Sequence, residues 1–260
     1  MPKLFVMSDI HGFYDKMVET LNEAGFDPEN PDHWFIGLGD YIDRGDKPLK
    51  VIKYLNNLQR KVLLKGNHED LFVQCCKRGE AYSHDYHNGT AKTIFDIAHN
   101  SKNDYCDDFD ECCTYSLRRV RPFLNDLIDY FETEKYIFVH SWIPVIGDTY
   151  NFEPYRNYRY DKDWREASSE KWKEARWGNP FILGDKGLLP NKTVVFGHYH
   201  TSYPRSIKNI CSEFGQDADF TIYFNKEEFN EPWKNDYIGI DACTAHSNKM
   251  ACLILNDNFV

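Results

Sequence analysis

Three times in its first 75 residues the chain repeats one unit: a short, mostly apolar run stops at a polar turn, and apolar residues at helical spacing follow. Residues 4–7 run into Ser8-Asp9-Ile10-His11-Gly12 and then Tyr14, Met17, Val18 and Leu21. Residues 34–38 run into Gly39-Asp40-Tyr41-Ile42-Asp43-Arg44-Gly45 and then Pro48, Val51, Ile52 and Leu55. Residues 61–64 run into Gly66-Asn67-His68-Glu69 and then Leu71, Phe72 and Cys75. The runs have strand length, and the 0, 3, 4, 7 spacing after them is that of an amphipathic helix. Strand, turn and helix in repetition predict an α/β fold with its polar turns gathered on one sheet edge, where open α/β sheets bind their ligands.

Two later runs carry the same signature, since 136–139 ends at His140 and 193–196 ends at Gly197-His198-Tyr199-His200. Residues 221–224, 237–240 and 251–255 read as strands without helical spacing between them, which predicts a second sheet built from hairpins. The polar stretches near 79–127 and 141–192 are expected as inserted segments of a single domain spanning 1–260, the first of them a cap.

The turn residues share one chemistry. Asp or His at a strand end is often only a helix cap or turn residue, but five such segments in one order point to a pair of metal ions. A carboxylate can bridge two ions while cancelling their charge, and Asp40 is the candidate. Asp9 and His11 can grip the first ion, with His200 completing it because it projects on the same side as His198. Asn67 offers a neutral oxygen to the second ion, beside His140 and His198. Oxygen and nitrogen donors without thiolate suit two divalent ions drawn from Mn, Fe and Zn. Two ions about 3.5–4 Å apart suit phosphoryl chemistry, because they neutralise the charge that builds on the transferred group.

Composition narrows the substrate. A formal charge of −10 disfavours nucleic acid, which is held by Lys and Arg facing its phosphates. The expected partner is a phosphorylated protein or a small phosphate ester. No apolar run approaches the roughly 20 residues of a membrane span, so no membrane partner is expected. The eight cysteines form no Cys-x-x-Cys and are expected as reduced thiols of a cytoplasmic protein. His84, His87, His99 and His246 lie outside the motifs and are expected as ordinary residues. The acidic run from Asp104 to Glu111 lacks the glycine of a calcium loop and is expected as a solvated face. A cluster of Tyr155, Arg156, Tyr158, Arg159, Tyr160, Trp164 and Trp172 reads first as packing, with nucleobase stacking as the alternative.

These blocks resemble the calcineurin-like metallophosphoesterases, most closely their phosphoprotein-phosphatase branch, which includes serine/threonine phosphatases and symmetrical diadenosine tetraphosphatases. The resemblance implies a four-layer αββα sandwich of two mixed sheets and a dinuclear centre at Asp9, His11, Asp40, Asn67, His140 and His198. It implies His68 as the acid that protonates the leaving oxygen and Asp43 as the carboxylate that orients it. Arg44 would bind substrate phosphate with Asn67 alongside, and Arg176 would be the second phosphate-binding arginine, with Arg156, Arg159 and Arg165 as rivals. The implied activity is phosphoester hydrolysis, on a phosphoprotein or on a nucleotide; an inactive metal-binding module and a nuclease are the competing readings.

Overall fold

The structure, a computed structural model, describes residues 1–99, 106, 108–147, 158–226 and 232–259. Tyr155 and Arg156 of the aromatic cluster, and Asp104 and Asp107 of the acidic run, lie outside the described residues. The repeated unit of the sequence becomes β1 (Lys3–Met7), α1 (Tyr14–Glu23), β2 (His33–Gly37), α2 (Pro48–Asn57), β3 (Lys61–Leu63) and α3 (Asn67–Arg78). Three helices follow: α4 (Ser83–Asn88), α5 (Thr90–Ala98) and α6 (Phe109–Asn125). Next come β4 (Tyr130–Glu132), β5 (Tyr136–Val139), the short pair β6 (Val145–Ile146) and β7 (Arg159–Tyr160), then α7 (Ser169–Ala175) and α8 (Pro180–Asp185). The remaining elements are β8 (Thr193–His200), α9 (Ser202–Ile207), β9 (Tyr223–Phe224), β10 (Tyr237–Asp241), α10 (Thr244–Ser247) and β11 (Leu253–Asn256).

Two mixed sheets form, in the orders β11-β1-β2-β3 and β4-β5-β8-β10-β9. Within them β1, β2 and β3 are mutually parallel, as are β5, β8 and β10, and the outer strands β11, β4 and β9 pair antiparallel. Strand alternation then decides the layers. Leu4, Val6, Ile36 and Leu38 of the first sheet meet Tyr136, Phe138, Val195 and Ile238 of the second in a core between the sheets. The intervening residues Phe5, Met7 and Phe35 face outward onto α1, α2, α3, α5 and α6, through Met17, Leu55, Phe72, Ile94 and Phe123. On the far side Ile137, Val139, Val194 and Phe196 carry Trp142, Trp164, Trp172 and Phe181. The αββα layering follows from the period of two in the strands. Among the described residues no helix is long and apolar enough to cross a membrane.

Two expectations are corrected. The tail does not build a second sheet from hairpins: β10 lies parallel to β8, while β11 crosses to the first sheet and pairs antiparallel with β1, Leu4 opposite Leu255. Its alternating buried and exposed residues suit an edge strand with one covered face. Nor are all the cysteines thiols, because Cys106 and Cys112 are joined by a disulfide. Cys106 precedes α6 and Cys112 lies near its start, which brings their Cα atoms to 5.5 Å, within bridging range.

Candidate metal centre

The polar turns after β1, β2 and β3 converge with the ends of β5 and β8, so each motif lies at the C-terminal end of its strand. Close approach of these turns depends on glycine. A Cβ on Gly39, whose φ is +100°, would stand 2.5 Å from the Gly66 nitrogen, and one on Gly66 would stand 2.1 Å from Asp40 Oδ1. Glu69, fully buried, fastens the two turns: its carboxylate accepts the backbone N–H groups of Asp40 at 3.0 Å, Tyr41 at 2.9 Å and Gly66 at 2.9 Å.

Asp40 occupies the middle. It shares one group of potential metal donors with His11 and His68 and another with His140 and His198, the donor atoms of each group lying within 4.8 Å of one another. Its Oδ2 is 3.7 Å from His11 Nε2 and its Oδ1 is 3.6 Å from His140 Nε2. Asp9 stands beside the first group, with Oδ1 3.9 Å from His11 Nε2 and Oδ2 accepting the backbone N–H of His198 at 2.8 Å.

The imidazoles are set as neutral ligands. His11 Nδ1–H donates to the Ile42 carbonyl at 2.9 Å and His140 Nδ1–H to the Leu38 carbonyl at 2.8 Å, which turns each Nε2 lone pair inward. Burial holds His11 and His198 well below the ordinary histidine range, helped by Arg44 beside His11 and by His140 beside His198. Burial also lowers His140, against the opposing pull of Asp9. Burial pushes the Asp40 carboxyl well up, with His68 opposing and Asp9 adding to the rise. The fit to a metal rests on one contact above all. His140 Nε2 faces Asn67 Oδ1 at 2.8 Å, two acceptors that a shared cation satisfies. The donor set is all oxygen and neutral nitrogen, as hard or borderline divalent ions require.

His68 and Asp43 form a dyad next to this group. His68 Nδ1 is 2.8 Å from Asp43 Oδ2, and His68 Nε2 lies 3.9 Å from Asp40 Oδ2. Burial alone would depress the His68 imidazolium, but Asp40 and then Asp43 outweigh it, so the net shift is upward. Arg44 is exposed at the mouth, its Nη1 donating to His11 Nε2 at 2.8 Å and its Nη2 3.3 Å from His68 Nε2.

Two residues of the expected site are placed elsewhere. Arg176 is 4% exposed and paired with carboxylates: Nε and Nη2 donate to Asp70 Oδ2 at 2.9 and 2.7 Å, and Nη1 donates to Asp129 Oδ1 at 2.6 Å. With three of its N–H bonds held by carboxylates it ties α3 to the segment before β4. His200 is turned away from Asp40, with Nδ1 2.9 Å from Ser202 Oγ and Nε2 3.2 Å from Glu213. The expectation that it shares a side with His198 fails because His198 has φ +63° and the register against β10 shifts there, which breaks the pleat between them.

Other residues join the site without a sequence motif. Thr90 Oγ1–H donates to Asp43 Oδ2 at 2.6 Å and the Asp43 N–H donates to Thr93 Oγ1 at 3.1 Å, so α5 supports the dyad. Asp241, buried at the end of β10, is raised well above the carboxylate range by burial and then by Asp9. Its signal was visible: 237–240 is one more apolar strand ending in aspartate. Trp177 sets its ring edge-on to His198 at 6.1 Å, beside a cavity of about 330 Å³ lined by Ile143, Val145, Tyr158, Trp177 and Leu183.

Comparison with known proteins agrees with this geometry. A family model for calcineurin-like phosphoesterases matches residues 2–224. The symmetrical bis(5'-nucleosyl)-tetraphosphatase of Klebsiella pneumoniae is 35% identical over 66 residues, 25% of this chain and 23% of that protein. The serine/threonine-protein phosphatase 2B catalytic subunit A1 of Saccharomyces cerevisiae is 27% identical over 246 residues, 85% of this chain and 39% of the relative. The chain thus spans less than half the length of these curated relatives. Among solved structures, a cold-active protein-tyrosine phosphatase of a psychrophilic Shewanella shares the fold at a TM-score of 0.50 and 15% identity, over 98% of this chain and 76% of that one. A Saccharomyces cerevisiae protein serine/threonine phosphatase similar to human PP5 does so at 0.50 and 14%, over 92% and 67%. The chain belongs to the calcineurin-like phosphoesterases.

Proposed function

We propose that the protein is a metal-dependent phosphoester hydrolase of the serine/threonine protein phosphatase type, holding two divalent ions with Asp40 as their shared ligand. The observation that carries this is the position of the Asp40 carboxylate in both donor groups, with the His68–Asp43 dyad against it. Asp9 and His11 would hold one ion, and Asn67, His140 and His198 the other. Bound there, the ions supply positive charge to the phosphoryl oxygens.

The chain's own residues do the rest. His68, whose imidazolium Asp40 and Asp43 favour, would deliver a proton to the departing oxygen, and Asp43, held by Thr90 and Thr93, fixes the ring for that transfer. Arg44 at the mouth takes up phosphoryl oxygens. An inert metal scaffold has no need of this dyad. Hydrolysis of p-nitrophenyl phosphate with added manganese tests the reading, and an intact, metal-loaded protein without turnover would leave only a metal-binding module.

The protein phosphatase reading is favoured because similarity to the 2B subunit runs through 85% of the chain, against 25% for the tetraphosphatase. A nucleotide phosphohydrolase is the second reading, supported by the cavity where Tyr158 and Trp177 could stack a base. Comparing kcat/KM on phosphopeptides and on dinucleoside polyphosphates separates the two.

A further inference from the structure

We propose that His99, Cys106 and Cys112 form a separate metal site that takes a thiophilic divalent cation, Zn²⁺ above all, when the two cysteines are reduced. The three residues meet where α5 ends and α6 begins: His99 caps α5, and the two cysteines flank the Asp108 cap of α6. Their donor atoms lie within 4.8 Å of one another. His99 Nε2 is 3.4 Å from Cys106 Sγ and 3.8 Å from Cys112 Sγ.

Those distances match zinc geometry. With Zn–S near 2.3 Å and Zn–N near 2.0–2.1 Å, a tetrahedral site places its nitrogen about 3.5 Å from each sulfur and its sulfurs about 3.8 Å apart. Nitrogen already stands at tetrahedral-edge distance from both sulfurs, so only the sulfurs must separate. Cys113 is no competitor, because its thiol turns into the core toward the Cys75 carbonyl at 3.9 Å. Three protein donors leave a fourth position for water. Cys112 is wholly buried and Cys106 nearly so, whereas His99 is exposed and marks the side from which an ion enters.

Metal and disulfide compete for the same sulfurs. Loading Zn²⁺ onto the dithiol releases two protons; forming the disulfide instead removes two protons and two electrons, which an oxidant such as glutathione disulfide accepts while being reduced to two thiols. The metal state ties the end of α5, through His99, to the start of α6, at the end of α5 opposite Thr90 and Thr93, whereas the disulfide ties only the segment before α6 to its first turns. The site is also distinct from the Asp40 centre in chemistry. Two thiolates and an imidazole select for zinc-like ions, whereas the oxygen and nitrogen donors around Asp40 do not.

Cobalt reads out the difference. Chelator-stripped protein is reduced with dithiothreitol, desalted under argon and titrated with Co²⁺. The expected result is a sulfur-to-cobalt charge-transfer band in the near ultraviolet that saturates at one Co²⁺ per chain beyond those held at the Asp40 centre, bleached by Zn²⁺ and absent from protein oxidised with diamide. Ions at the Asp40 centre cannot give that band. Cys112→Ser should abolish it, and His99→Asn, which changes an exposed side chain and spares the core, should weaken cobalt binding at least tenfold. The proposal is overturned if reduced wild-type protein shows no such band, or if the band survives unchanged in His99→Asn.

Discussion

At the scale of single residues, Asp9, His11, Asp40, Asp43, Arg44 and His198 all have φ between 46° and 70°, left-handed backbone that non-glycine residues seldom adopt. Each such residue costs on the order of 1–3 kcal/mol, and such strain gathers where side chains must be aimed rather than packed. Asp40→Asn keeps the shape and removes the charge that would hold two cations together. Elemental analysis of the purified variant should show loss of bound metal together with activity; two ions per chain in Asp40→Asn would refute the shared-ligand assignment. His68→Asn should retain the metals yet lower kcat on poor leaving groups by about 10²–10⁴, the usual worth of a positioned acid. A p-nitrophenyl ester, which leaves without help, should be much less affected, and an equal loss on both substrates would remove His68 from the acid's role. Asp40 was legible in the sequence because it follows a strand at a polar turn, whereas His68, in the first turn of α3, took its role from the resemblance of its motif. Thr90 and Thr93 were not legible, since their bonds to Asp43 span some fifty positions and no local period records a tertiary contact. His200 was misread because a period of two holds only while the strand keeps its pleat, and His198 breaks it.

At the scale of elements, the strands and helices of the first 78 residues follow their apolar spacing closely, and α3 ends at Gly79 in the left-handed conformation usual for a helix stop. Which sheet a strand joins was less legible. β11 reads like its neighbours in sequence, and only its pairing with β1 places it in the first sheet. Arg176 is the connection to test at this scale. Its carboxylate partners Asp70 and Asp129 sit on α3 and just before β4, so the guanidinium joins the two halves of the fold. Removing one member of a buried ion pair costs about 3–5 kcal/mol when the other charge is left without a partner, but here Asp70 keeps Lys65 at 2.7 Å and Asp129 is 37% exposed, so the cost is smaller. Arg176→Ala should therefore lower the unfolding free energy measured by denaturant titration by on the order of 1–3 kcal/mol, the worth of hydrogen bonds to charged groups, while the KM for p-nitrophenyl phosphate stays near that of the wild type. A large rise in KM at unchanged stability would return Arg176 to the substrate.

For the whole molecule, metal and protons compete for the same buried groups. His11, His140 and His198 are lowered, so their contribution to stability is full above the free histidine value of about 6.5 and is lost as pH falls through their folded values. Asp40 and Asp241 are raised, so in metal-free protein their contribution is full below the free aspartate value of about 3.9 and is lost as pH rises through their folded values. Cations offset that second loss. Thermal melts with and without chelator should diverge as pH rises from acid to neutral, with the metal-loaded protein the more stable; a gap independent of pH would contradict the assignment of these carboxylates and imidazoles to the centre. The pairing of β1 with β11 has a consequence for how the molecule is made. Lys3 lies opposite Asn256, so during synthesis the outer edge of β1 stays uncovered until β11, some 250 residues later, has been made. A bare apolar edge is a template for pairing with another chain. Nascent protein is thus exposed to edge pairing until residues 253–256 arrive, and removing them should raise the protein's tendency to join its copies edge to edge, read by size-exclusion chromatography.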